Sequence, residues 1–159
     1  MTKSKYVLGI DVGSSAVKVS LVAVEETRIV ATATSPAGDE IAIDAPRAGW
    51  AEQAPETWWE HVVRACQSLF QQAPECYRLV RDVGISYQEH GLVLLDNAGA
   101  VVRPSIIWCD SRTLDTERKL TEMIGADRWF DEVCNLPGTF TASKLAWVRD
   151  NEPDNYEKT

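Results

Sequence analysis

Residues 6–24 read YVLGIDVGSSAVKVSLVAV. Tyr6 to Ile10 is an almost unbroken apolar run, as in a strand buried on both faces, and it stops at the turn-forming cluster Asp11-Val12-Gly13-Ser14-Ser15. Val17, Val19 and Leu21 then alternate with Lys18 and Ser20, and after Glu25-Glu26-Thr27 a second alternating run covers Arg28 to Thr34. The opening is therefore predicted to be a three-stranded antiparallel meander with a tight glycine turn after its first strand.

Downstream, Ser35 to Ala54 carries Pro36, Gly38, Pro46 and Gly49 with little periodicity and reads as an extended surface connection. From Pro55 the apolar positions Trp59, Val62, Val63, Cys66, Leu69 and Phe70 recur at helical spacing, with Pro55 suited to a first helical position. Asp82 to Ser86 is predicted as a parallel strand, and Leu92–Asp96 with Val101–Trp108 as a hairpin around Asn97-Ala98-Gly99. Helices are predicted over Thr113–Ile124 and Ser143–Asn151, the latter ending before Pro153. This order suits an α/β chain with a mixed sheet and flanking helices, and such an opening meander is what RNase H-like (actin-like ATPase) domains have.

The chain has 159 residues and 45% hydrophobic content, enough for one folding unit with its own core. A formal net charge of −8 and a pI near 4.8 argue against nucleic-acid or anionic membrane partners, which select for clustered Lys and Arg. A neutral small-molecule partner fits better. With no apolar run near the ~20 residues that cross a bilayer, and no signal sequence, the reading is cytoplasmic. Cys66, Cys76, Cys109 and Cys134 are scattered without a Cys-x-x-Cys pair, and His61 and His90 are the only histidines. Reduced structural thiols, not a zinc site, are expected.

Three segments could carry chemistry. In Gly9-Ile10-Asp11-Val12-Gly13-Ser14-Ser15 a buried strand delivers a carboxylate to a turn whose backbone N–H groups can approach phosphate. Asp11 then either attends a Mg²⁺-ATP, with Gly13, Ser14 and Ser15 offering donors to the phosphates, or merely caps a β-turn. Ser86-Tyr87-Gln88-Glu89-His90-Gly91 follows the parallel strand, where ligands of such sheets gather. Gln88, Glu89 and His90 supply the donors and acceptors a polyol needs, though a lone histidine there also serves structure. Trp108-Cys109-Asp110-Ser111-Arg112 joins a ring suited to a sugar's C–H face to an Asp and an Arg that could orient it. Of the six tryptophans, the Trp58-Trp59 pair is assigned to packing of the first helix, Trp50 to packing or a ligand, and Trp108 to packing or the sugar.

Taken in order, GIDVGSSAVK, GWAEQAPETWWE, VGISYQEHGLVLLD, VVRPSIIWCDSRT and GTFTASKLAWVRDNEP resemble the FGGY carbohydrate kinases across almost the whole chain. The family is built from two actin-like domains and transfers the γ-phosphoryl of Mg-ATP to a sugar or polyol hydroxyl. The resemblance implies ATP and Mg²⁺ as cofactors, Asp11 as the first-domain acidic residue near the metal and phosphates, and Trp108 as a ring of the polyol site, with Asp110 and Arg112 carried over beside it. Gln88, His90 and Gly91, followed by Leu-Val-Leu-Leu-Asp, are similar to the xylulokinase branch, in which the two residues before that glycine bind the ketose. This implicates Glu89 and His90. Xylulokinases commonly have Met where this chain has Glu89 and Gly where it has Tyr87, and Thr139 stands where Gly or an aromatic is usual. Ribulose, fuculose, gluconate and glycerol kinases are the alternatives, beside a non-catalytic sugar-binding module and a different actin-like protein. The resemblance places the general base and the adenine region beyond residue 159, so residues 1–159 are expected to be a truncated first domain, inactive alone, with the second domain absent. It is also compatible with a homodimer.

Overall fold

A computed structural model describes the chain over residues 5–159. The contacts gather into two compact units, one of residues up to Ala42 with Glu56–Gln88, the other of Ile43–Pro55 with Glu89–Thr159. The sequence reading takes the chain as one folding unit. The split follows the excursions at residues 43–55 and after residue 88.

The first unit is a four-stranded mixed sheet in the order β3-β2-β1-β5, formed by β1 (Tyr6–Val12), β2 (Val17–Ala23), β3 (Arg28–Ser35) and β5 (Val80–Tyr87). β1 and β2 pair antiparallel, as do β2 and β3, whereas β1 and β5 run parallel. The predicted meander and parallel strand are thus present. Register explains the core: Leu8 faces Leu21, Ile10 faces Val19 and Val12 faces Val17, so the apolar set of each strand lies on one side. Helix α1 (Pro55–Gln72) covers that side, packing Ala65 and Leu69 onto Leu8, Val17, Val19, Leu21, Ala33 and Ile41. His61 is buried on α1, its Nδ1 2.8 Å from Ser35 Oγ, which satisfies a polar ring in an apolar layer. A short helix α2 (Pro74–Tyr77) brings Cys76 and Tyr77 against the same core. Trp58 packs on it as expected, but Trp59 is 68% exposed, because adjacent helix positions point about 100° apart and cannot both face inward.

In the second unit β4 (Glu52–Gln53) pairs antiparallel with β6 (Ser105–Ile106). Leu92, Leu94, Ile106 and Val148 form its core, with Val102 and Trp147 packed against them. Four helices complete it: α3 (Leu114–Ile124), α4 (Ala126–Val133), α5 (Thr141–Asn151) and α6 (Pro153–Glu157). The predicted hairpin between Leu92 and Trp108 is reduced to single bridges, Leu92 to Ile106 and Leu95 to Val101. Its second arm spends its hydrogen bonds on β4 instead, so the end of the supposed surface connection is a buried strand. The turn between the arms is as predicted, with Asp96 Oδ1 accepting from the Ala98 and Ala100 N–H groups at 2.8 Å each. Cys66, Cys76, Cys109 and Cys134 are all free thiols. Among the described residues no helix is long and apolar enough to cross a membrane.

Candidate functional site

In the first unit the face of the sheet opposite α1 carries small and polar side chains. Gly9 pairs with Gly84, and Asp11 lies between Lys18 on β2 and Ser86 on β5. Two adjacent glycines leave a floor without side chains, and these residues with Ser20 line a depression of about 490 Å³. Asp11 is exposed at the carboxyl end of β1, with a cation as its cross-strand neighbour.

The turn after Asp11 is closed by the Gly13 N–H donating to Ala16 O at 3.1 Å. A Cβ on residue 13 would lie 2.9 Å from that same oxygen, so only glycine lets the strands come this close. The Gly13 N–H, expected to face a phosphate, is engaged within the turn here. Ser15 is exposed, and its carbonyl accepts from Ile41 N at 2.7 Å, which fixes the far side of the turn. At the end of β5, Gln88 donates its N–H to Val12 O at 3.0 Å, while both its side-chain amide atoms are buried without a partner. A buried amide left unpaired costs about 1–3 kcal/mol.

In the second unit Glu89 and His90 are exposed, with Glu89 Oε2 3.7 Å from His90 Nε2. His90 adopts φ 61°, a left-handed conformation uncommon outside glycine. Its ring stacks on Phe140 with centroids 3.7 Å apart and planes at 14°. Beneath this loop Lys144 is wholly buried, its Nζ donating to His90 O at 2.9 Å and to Thr139 O. Burial pushes its pKa below the usual lysine value, and the nearby Asp110 carboxylate partly offsets that.

Trp108 is 54% exposed, placed as a ring on a surface loop. Asp110, by contrast, is buried. One of its oxygens accepts from Ala51 N at 2.6 Å and from Arg112 Nη2 at 2.7 Å, the other from Arg112 N and Nε at 2.9 Å each. The sequence places Asp110 at the sugar. In the structure both of its oxygens accept hydrogen bonds from Ala51 and Arg112.

Arg112 extends this into a network the sequence did not reveal. Its Nη2 lies 2.7 Å from Glu52 Oε1, and Glu52 also pairs with Arg103, whose Nε reaches Glu152 at 3.0 Å. The Arg112 guanidinium lies 3.7 Å from the Trp50 ring centroid, and Trp50 meets Trp147 edge-on. Trp50 is thereby a packing residue. The signal for Glu52 was faint, since a lone Glu in a Pro- and Gly-rich stretch reads as solvated surface until its arginines are placed.

Residues 6–159 match the N-terminal domain of the FGGY family of carbohydrate kinases. The chain belongs to this family. Within the FGGY kinases it is 36% identical over 151 residues to the xylulose kinase of Escherichia coli K12, covering 95% of this chain and 30% of that protein. To the xylulose kinase of Bacillus subtilis it is 37% identical over 157 residues, covering 98% and 30%. The crystal structure of a xyloylose kinase from Brucella ovis superposes with a TM-score of 0.86 at 32% identity, over 95% of this chain and 30% of that one. The mixed α/β architecture is that of the FGGY sugar kinases, and the chain spans about 30% of the length of the relatives it matches.

Proposed function

We propose that the whole protein phosphorylates a sugar at the expense of ATP, with D-xylulose as acceptor and D-xylulose 5-phosphate as product. The observation that carries this reading is the 36–37% identity to xylulose kinases, sustained over at least 95% of the chain. In this reading Asp11 attends the metal and the phosphates, and the turn through Ser14 and Ser15 faces the phosphoryl oxygens. Mg²⁺ is held through one or two carboxylates, with nucleotide phosphates and water supplying the rest. A single exposed carboxylate beside a tight turn fits an ion delivered with its nucleotide, and no cluster of three or more metal-binding side chains gathers among the described residues. When bound, Mg²⁺ neutralises charge on the transferring phosphoryl group.

Glu89, His90 and Trp108 take the sugar: the carboxylate and imidazole accept or donate hydrogen bonds to hydroxyls, and the ring covers a C–H face. Gln88, at the end of β5, offers its amide to a sugar hydroxyl, and Asp110 acts through Arg112 and the Ala51 N–H to hold the Trp108 loop. One observation favours a different acceptor. Glu89 is an exposed carboxylate where xylulokinases commonly have Met, so ribulose, fuculose, gluconate or glycerol kinase activity is the second reading.

The test is ADP release by the full-length gene product against a panel of ketopentoses and polyols. Highest kcat/KM with D-xylulose supports the proposal. Preference of about 10-fold or more for another acceptor, worth about 1.4 kcal/mol in the transition state, moves the assignment to that sugar. No ADP release with any acceptor removes the kinase reading.

A further inference from the structure

Lys144 is wholly buried on α5, among the largest side chains so enclosed in the described residues. Lysine is almost never fully buried unless its charge is partnered. Here its ammonium donates to two backbone carbonyls, of His90 and of Thr139. Those carbonyls belong to separate stretches of chain, one carrying Glu89 and His90, the other leading into α5.

Two further ties join the same stretches. Thr141 Oγ1 donates to Gly91 O at 3.3 Å, and the Phe140 ring stacks on the His90 imidazole. His90 meanwhile sits at φ 61°, a conformation a non-glycine residue keeps only where its surroundings impose it. The imposing groups are thus visible: an ammonium on the His90 carbonyl, a ring under its side chain and a hydroxyl on the next carbonyl. The remaining charged groups near Lys144, Asp110 and Arg112, are paired with each other.

We propose that Lys144 is a positioning residue of the sugar site, holding His90 in its left-handed backbone so that the imidazole and Glu89 are presented to the acceptor hydroxyls. This rests on the sugar-kinase reading given above. Lys144 touches no sugar. It sets the fraction of molecules whose loop is ready to bind, and apparent affinity falls in proportion to that fraction.

The experiment is ¹H–¹⁵N NMR on the 159-residue chain and its Lys144→Met variant, which keeps an unbranched stem and removes the donors, titrated with D-xylulose. In the unmodified chain the sugar is expected to move the Glu89, His90 and Gly91 amides. In the variant the His90 and Gly91 signals shift before any sugar is added, first-unit signals such as Leu21 and Leu69 stay in place, and the apparent Kd rises about 10-fold, matching a ready fraction cut to a tenth. Unchanged His90 signals in a folded variant overturn the proposal. Shifted His90 signals with no sugar response in the unmodified chain overturn the sugar reading, and with it the positioning role, leaving only a structural clamp. Should the variant unfold, the ζ-¹⁵N signal of Lys144 in the unmodified chain decides. Its movement on saturation with D-xylulose supports the proposal, and its indifference overturns it.

Discussion

Asp110 and Glu89 are both carboxylates near an expected sugar site, and their surroundings give them opposite consequences. Asp110 is buried with both oxygens engaged, so removing it takes one of two carboxylate partners from the buried Arg112 guanidinium, leaving Glu52, and takes the acceptor from the Ala51 N–H. Breaking one partner of a buried pair costs about 3–5 kcal/mol, and Asp110→Ala is expected to lower stability by that amount, measured by urea denaturation of the chain. A loss under about 1 kcal/mol would show that Glu52 or water takes over the guanidinium. Glu89 is exposed and lies 3.7 Å from the His90 ring, so Glu89→Met should leave stability within about 0.5 kcal/mol. On the proposed sugar-kinase reading its effect falls on the acceptor: in the full-length protein the substitution is expected to change KM for D-xylulose more than kcat, because a ground-state hydrogen bond is altered. Unchanged KM and acceptor ranking would remove Glu89 from the pocket.

Helix α1 shows what a local pattern can and cannot settle about an element. Its start at Pro55 and its apolar spacing are local facts, and the helix runs Pro55–Gln72 as that spacing predicts. Which of two adjacent tryptophans faces the sheet is decided by the sheet, and Trp58 goes in while Trp59 goes out. Leu69→Ala empties space in the core and is expected to cost about 2–5 kcal/mol, whereas Trp59→Ala should change stability by about 0.5 kcal/mol or less. Equal costs in a thermal or urea series would mean that Trp59 is covered in solution. Strands β4 and β6 mark the other limit. Ser105–Ile106 pairs with Glu52–Gln53 some fifty positions earlier, and nothing in either dipeptide names its partner. The polar letters of Glu52 and Gln53 pointed to water, and only the arginines brought to Glu52 explain its burial. Of the candidate site, Asp11, Glu89, His90 and Trp108 lie exposed on loops and strand ends, where the sequence reading expects groups that could meet a ligand. Gly13 and Asp110 were legible as important residues, but their hydrogen bonds turn inward, and residue type alone does not show direction.

For the whole molecule the deciding quantity is how much of a phosphoryl-transfer apparatus these residues can supply. In phosphoryl transfer an enzyme's part is positioning and charge stabilisation, with little covalent chemistry of its own. The chain spans about 30% of its relatives' length, and we propose that the general base and the adenine region lie outside it. A positioned base contributes about 10²–10⁴-fold and the juxtaposition of reactants up to about 10⁵–10⁸ M of effective concentration. Loss of the first and most of the second predicts that residues 1–159 alone release ADP with D-xylulose at least about 10⁶-fold more slowly than the full-length protein. In a coupled assay that is background. The same chain should still show the sugar-dependent amide shifts at Glu89 and His90, because those side chains are presented by contacts within their own unit. Binding without turnover is therefore the expected pair of results. Turnover at enzyme-like rates by this chain would mean that a base and a nucleotide site lie within it, and the assignment of Asp11 to the phosphates would have to be rebuilt around them.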